Sequence, residues 1–444
     1  MNSSVVEKIN DKPMSLFQWF VVGLCFLINM LDGFDVLVMA FTAAAVAGQW
    51  KLSGVELGYL LSAGLVGMAL GSLIIAPWAD RMGRRPLIML CIAIAGAGMF
   101  ASSYAQSPVQ LGLLRLFTGL GIGGILASSY VIAGEYANSR WRGLAISLQA
   151  TAYALGATIG GLIANQLIPS LGWQSVFFYG GMATLLTLPV MYLWLPESLD
   201  FLIGKKPAKA LQKANAILSK MDQPLLDVLP SHSANTAVVE KNRVASLLVP
   251  GLASQTLLIW AAFFMVMFGF YFVMSWTPKL LVNAGLSNQQ GITGGVLLNV
   301  GGIVGTSLIG LLAAKFRISR VLMLYLLVNA ALMMAFVGLL GKLSVAFTAA
   351  LLIGVFVNGC VAGLYALTPG LYSVTQRVTG LGWAIGVGRI GAIASPLVAG
   401  RLIDAKWTPD QLFSLYGAAF VLAALAIYFL QRKKAPVQQL QPAC

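Results

Sequence analysis

The chain has 444 residues, of which 59% are hydrophobic and 9% charged, where a soluble globular chain carries about 25% charged residues. This excludes a soluble domain of any size, and the net charge of +14 is then a question of where the basic residues fall rather than of a nucleic-acid partner. Cys25, Cys91 and Cys360 lie in apolar runs and Cys444 ends the tail, so no disulfide framework is implied.

A bilayer core takes about 20 apolar residues per helix. Runs of that kind predict twelve spans, at 17–45, 57–78, 86–105, 109–134, 143–167, 173–195, 249–282, 291–314, 320–340, 344–370, 380–402 and 410–430. The expected architecture is therefore all-α and multi-pass, with a bundle over 1–195, a central loop over 196–246, and a second bundle and tail over 247–444. The first run is too long for a signal peptide and is followed by eleven more. It holds Asp32 and Asp35 near its middle, and a carboxylate there costs about 2.5 to 3.5 kcal/mol on insertion scales. Spaced i, i+3, the two share a face. That face needs water or protein, since lipid offers no partner, which points to passage of a polar or charged solute.

The loop after the second span carries Asp80, Arg81, Gly83, Arg84 and Arg85, and spans four and five meet near Glu135, Arg140 and Arg142. Basic residues crowd these and every alternate loop, while the opposite loops hold only Lys51, Lys342 and Lys406, so both termini are expected in the cytoplasm. Two readings of the charged loop stand: a clasp between helices, joined by Glu135 and Arg142 and formed in one conformation only, or a plain topology anchor. Span four contains Gly119, Gly121, Gly123 and Gly124 but neither the Lys-Ser/Thr of a phosphate loop nor a flanking strand. Close helix packing accounts for them. No metal-ligand spacing or nucleophile constellation is present, so neither a cofactor nor an enzyme is expected.

In the central loop, Pro207 to Met221 reads as an amphipathic helix and Asp222 to Asn242 as a linker holding His232, the single histidine. The halves on either side are expected to be related, the alternative being a chance match among 48 glycines. Gly67 and Gly71 match Gly301 and Gly305 at an offset of 234, and Gly119, Gly124 and Tyr130 match Gly354, Gly359 and Tyr365 at 235. A duplicated six-helix unit explains this spacing.

Ala76-Pro77-Trp78-Ala79-Asp80-Arg81-Met82-Gly83-Arg84-Arg85 resembles the G-x-x-x-D-R-x-G-R-R/K signature of the major facilitator superfamily, with Ala76 in place of its first glycine. Asp32-Gly33-Phe34-Asp35 and Gly386-Val387-Gly388-Arg389-Ile390-Gly391 are similar to segments of its aromatic acid:proton symporters. Span four departs from that family, reading Gly123-Gly124-Ile125-Leu126 where many members have Pro-Asn. The resemblance implies a monomeric carrier in a bacterial inner membrane that takes up a small aromatic acid anion with protons. A carrier of a non-aromatic organic anion is the alternative.

Elimination narrows the site. Asp32 and Asp35 are the only deep carboxylates, which makes them the expected proton-coupling groups; Arg115 and Arg389 are the only basic residues deep in spans. Two acids and two arginines sum to zero, and an anion bound together with one proton keeps the sum at zero. Protonation of one aspartate would then free a guanidinium for a carboxylate. Phe34, Tyr271, Trp276 and Trp383 are expected to line an aromatic ring, against the alternative that they merely pack or face lipid.

Overall fold

A computed structural model describes residues 13–229, 244–339, 342–373 and 376–434. His232, Cys444 and most of the expected linker lie outside the described residues. Among the described residues, twelve helices are long and apolar enough to cross a membrane. In chain order they are α1 (Leu16–Trp50), α2 (Gly54–Met82), α3 (Arg84–Ser102), α4 (Pro108–Tyr136), α5 (Ser139–Leu171), α6 (Trp173–Trp194), α9 (Ala253–Asn283), α10 (Asn288–Lys315), α11 (Ile318–Ala335), α12 (Leu343–Leu371), α13 (Thr379–Asp404) and α14 (Pro409–Arg432). Two shorter helices, α7 (Leu199–Lys205) and α8 (Ala210–Lys220), follow α6.

Packing divides the chain into two compact units, one of residues 1–38 and 63–238, the other of 39–62 and 239–444. This differs from a division by sequence order in residues 39–62, and glycine is the reason. A Cβ on Gly54 or Gly58 would lie 2.5 Å from the Gly400 carbonyl oxygen or 2.6 Å from that of Pro396, so the start of α2 lies against the α13 backbone. The Asp404 carboxylate completes that contact, accepting hydrogen bonds from the Gly54 and Val55 amides at 2.6 and 2.9 Å. Those amides are orphan donors of a helix N-terminus, where a carboxylate also meets the favourable end of the helix dipole.

Within each unit the glycines that repeat in sequence make the same contacts. In the first, Gly67 and Gly71 of α2 sit where a Cβ would be 2.1 Å from the carbonyl oxygens of Leu116 and Leu120 on α4. In the second, Gly301 and Gly305 of α10 stand 2.1 and 1.9 Å by the same measure from those of Leu351 and Val355 on α12. Gly124 meets Cys91 on α3 and Gly359 meets Tyr325 on α11. Every partner keeps the offset of 234 or 235. Helices in lipid associate through close backbone approach, and glycine permits it.

At one end of the first unit, the amphipathic stretch expected after Pro207 is α8. Its buried residues Ala210, Ala214, Ile217 and Leu218 recur on one helical face. Ala214, Ile217 and Leu218 join a core that includes Val21, Ile88, Ile132, Leu199 and Leu202, so α8 is docked on the bundle.

Candidate functional site

The acidic centre lies in the first unit. Gly33 separates the two aspartates, and a Cβ there would fall 1.9 Å from the Tyr153 carbonyl oxygen; α1 and α5 touch backbone to backbone at this level. Asp35 Oδ1 accepts a hydrogen bond from Arg115 Nη1 at 2.8 Å, with both side chains 4% exposed. Arg115 Nη2 donates to Thr118 Oγ1 at 2.9 Å and to Ser102 Oγ at 3.2 Å, and the guanidinium stands over the Phe177 ring, 4.9 Å from its centroid. Thr118 and Ser102 pass their own protons to the carbonyls of Leu114 and Gly98, so both are free to accept. A buried cation is tolerated when it is paired and hydrogen-bonded in this way.

Asp32, 4% exposed, joins Asp35 in lining a cavity of about 20 Å³ with Thr184 and Thr187 and the side chains of Ile28, Ile92, Ile122 and Ile125. One water fits such a volume; an aromatic acid does not. Phe34 is also buried, its ring wedged where a Cβ on Gly160 or Gly180 would collide with it.

In the second unit, Arg389 on α13 is half-buried. It has no acid partner among the described residues. The Tyr365 ring meets Phe263 edge-on at 5.7 Å. Trp383 faces Trp260 at 6.0 Å between centroids, and α9 passes close because Gly391 lies against the Phe264 carbonyl. Of the other two expected aromatics, Tyr271 is half-buried with its ring on Phe270. Trp276 is buried, and its indole N–H has no acceptor among the described residues, which leaves a donor of the kind buried sites normally satisfy. Trp260 was absent from the expected set; only its spacing of three residues from Phe263 on one face of α9 marks it.

The charged loop forms a third cluster, wholly inside the first unit. Arg84 Nη1 pairs with Glu135 Oε1 at 2.5 Å and also donates to Ser198 Oγ, which donates to Glu135 Oε2 at 2.7 Å. Glu197 Oε1 accepts from the amides of Arg84 at 2.9 Å, Ser198 at 2.8 Å and Arg85 at 3.2 Å. Gly83 adopts φ 99°, ψ 158°, and a Cβ would stand 2.4 Å from Glu197 Oε2; both facts require glycine. Arg142 Nε donates to the Gly134 carbonyl at 3.1 Å and lines an open cavity with Glu135, Tyr130 and Asp200. Asp80 and Arg81 are exposed, and Asp80 stands outside the ion-paired group. Glu197 and Ser198 are the members that sequence reasoning missed, because their partners, the Arg84 and Arg85 amides for Glu197 and the Arg84 and Glu135 side chains for Ser198, are distant in the chain.

Twelve apolar helices, two units built from repeated contacts and charges enclosed at mid-span define a membrane carrier. Residues 23–364 match the Major Facilitator Superfamily, and the chain belongs to that family. It is 33% identical over 428 residues to the gallate transporter of Pseudomonas putida, covering 95% of this chain and 94% of that one. It is 32% identical over 424 residues to the 4-hydroxybenzoate transporter of the same organism, covering 94% and 93%. Among solved structures, a bacterial homologue of the human lysosomal transporter Spinster superposes with a TM-score of 0.75 at 20% identity, covering 97% of this chain and all of that one.

Proposed function

We propose that this transporter takes up a small aromatic carboxylate together with protons across a bacterial inner membrane, as a monomer. One observation carries the reading: of the two deep arginines, Arg115 is neutralised by Asp35 and hydrogen-bonded to Thr118 and Ser102, whereas Arg389 has no acid partner among the described residues. Arg389 is then the anchor for the substrate carboxylate, with Trp383 of the same helix for the ring and Tyr271 and Trp276 as further contacts. The Asp32/Asp35 pair holds the proton, and its protonation weakens the grip on Arg115, which enters the binding cycle at that step. The small cavity beside the pair admits water and supports a proton path. Asp80, Arg81, Gly83, Arg84, Arg85, Glu135 and Arg142 act as the gate, biasing the equilibrium between conformations without touching substrate. The names of the relatives support an aromatic acid as cargo.

Thermal-shift titration of the purified protein with 4-hydroxybenzoate, gallate, benzoate and cis,cis-muconate tests this. The aromatic acids should stabilise it and the aliphatic dicarboxylate should not. Stabilisation by muconate alone would replace the proposed substrate class with non-aromatic anions.

A further inference from the structure

A groove of about 820 Å³ opens in the first unit where the loop after α2, the end of α6 and α8 converge. Four cations line it, Arg81, Arg85, Lys213 and Lys220, together with the carboxylate of Glu197. That carboxylate does not balance them, being one negative charge against four positive ones. The Arg85 Nε is buried without an acceptor among the described residues, although its Nη2 donates to the Tyr192 carbonyl and its guanidinium lies over the Tyr192 ring. Lys220 is held over the Phe17 ring with its Nζ 5.6 Å from the centroid. Like charges gathered on one concave surface repel, and an anion relieves that repulsion.

The rim says what kind of anion. Tyr192, Leu193 and Trp194, the last three residues of α6, are 62%, 66% and 51% exposed, and they also line the groove. An amphipathic aromatic at the end of a membrane helix sits at headgroup level, with its apolar side toward acyl chains. Cations on one side and an exposed apolar collar on the other match a molecule with a phosphodiester joined to hydrocarbon, and the volume far exceeds what a free phosphate fills. We infer that this groove binds the headgroup of an anionic phospholipid, with Arg81, Arg85, Lys213 and Lys220 around the phosphate and Tyr192 and Trp194 against the glycerol and acyl esters.

Native mass spectrometry of the full-length protein, exchanged into equal amounts of phosphatidylglycerol and phosphatidylcholine, tests the proposal. Phosphatidylglycerol should be retained in preference. The Lys213→Gln/Lys220→Gln variant removes two exposed charges that have no part in the proposed transport site, so it should fold normally by circular dichroism. At about fivefold per cation its preference should fall about twenty-five-fold. Excess inorganic phosphate should leave the bound lipid in place. Equal retention of the two lipids, an unchanged preference in the folded variant, or displacement of the lipid by phosphate alone would each overturn the assignment; the last would make the groove a site for soluble anions.

Discussion

Arg115 and Arg389 were equivalent as sequence, two guanidiniums in apolar helices, and only the folded chain separates them. Arg115 donates to Asp35 on α1, Ser102 on α3 and Thr118 one turn along its own helix, and the two partners on other helices leave no periodic trace in the chain. The two arginines should therefore respond differently to lysine, which keeps the charge and loses the planar fork. Arg389→Lys should weaken substrate affinity by about 1.5 to 3 kcal/mol, measured by titration calorimetry, with the melting temperature little changed. Arg115→Lys should lower the melting temperature as well; equal melting temperatures and unchanged affinity in both would remove the distinction. The aspartates split in a similar way. Asp32→Asn leaves the ion pair intact and should fold normally yet lose pH-driven accumulation. Asp35→Asn also leaves a buried cation without its counter-charge, a loss that typically costs about 3 to 5 kcal/mol, and should show a depressed melting temperature as well as no accumulation. Proton-dependent accumulation by both variants would clear these residues of the coupling role.

Among the elements, the turn between α2 and α3 has the most stringent local requirement. Its sequence announces glycine and clustered charge, and both are used. Gly83 takes a backbone conformation essentially closed to other residues and brings the chain against Glu197, which gathers the amides that begin α3. Gly83→Ala adds both torsional strain, about 1 to 3 kcal/mol, and a clash with the Glu197 carboxylate, so it should lower thermal stability measurably. A melting curve superimposable on that of the unchanged protein would contradict this account of the turn. The ion pair Arg84–Glu135 was also legible, because both residues flank apolar spans that must meet at their ends. The place of Asp80 was not: a surface carboxylate carries no signal of what it faces.

For the whole molecule, hydropathy located all twelve spans, since each must satisfy its backbone internally while crossing about 20 residues of hydrocarbon. Their ends were less legible. α1 continues to Trp50, past the expected limit at 45, and stops where Lys51 turns to φ 50°. The spacing of Gly67 and Gly71 against Gly301 and Gly305 carried the duplication, because close packing of helices leaves glycine no substitute. What sequence order obscured was the grouping of 39–62 with the second half, which rests on the Gly54, Gly58 and Asp404 contacts. Coupling between a proton held in the first unit and a carboxylate held in the second is the central claim, and transport by the purified protein in sealed vesicles tests it most directly. With a pH gradient imposed, acidic outside, radiolabelled 4-hydroxybenzoate should accumulate inside above its external concentration, and a protonophore should abolish the accumulation. Uptake that only equilibrates across the membrane, or that ignores the protonophore when no other ion gradient is present, would contradict proton-coupled symport.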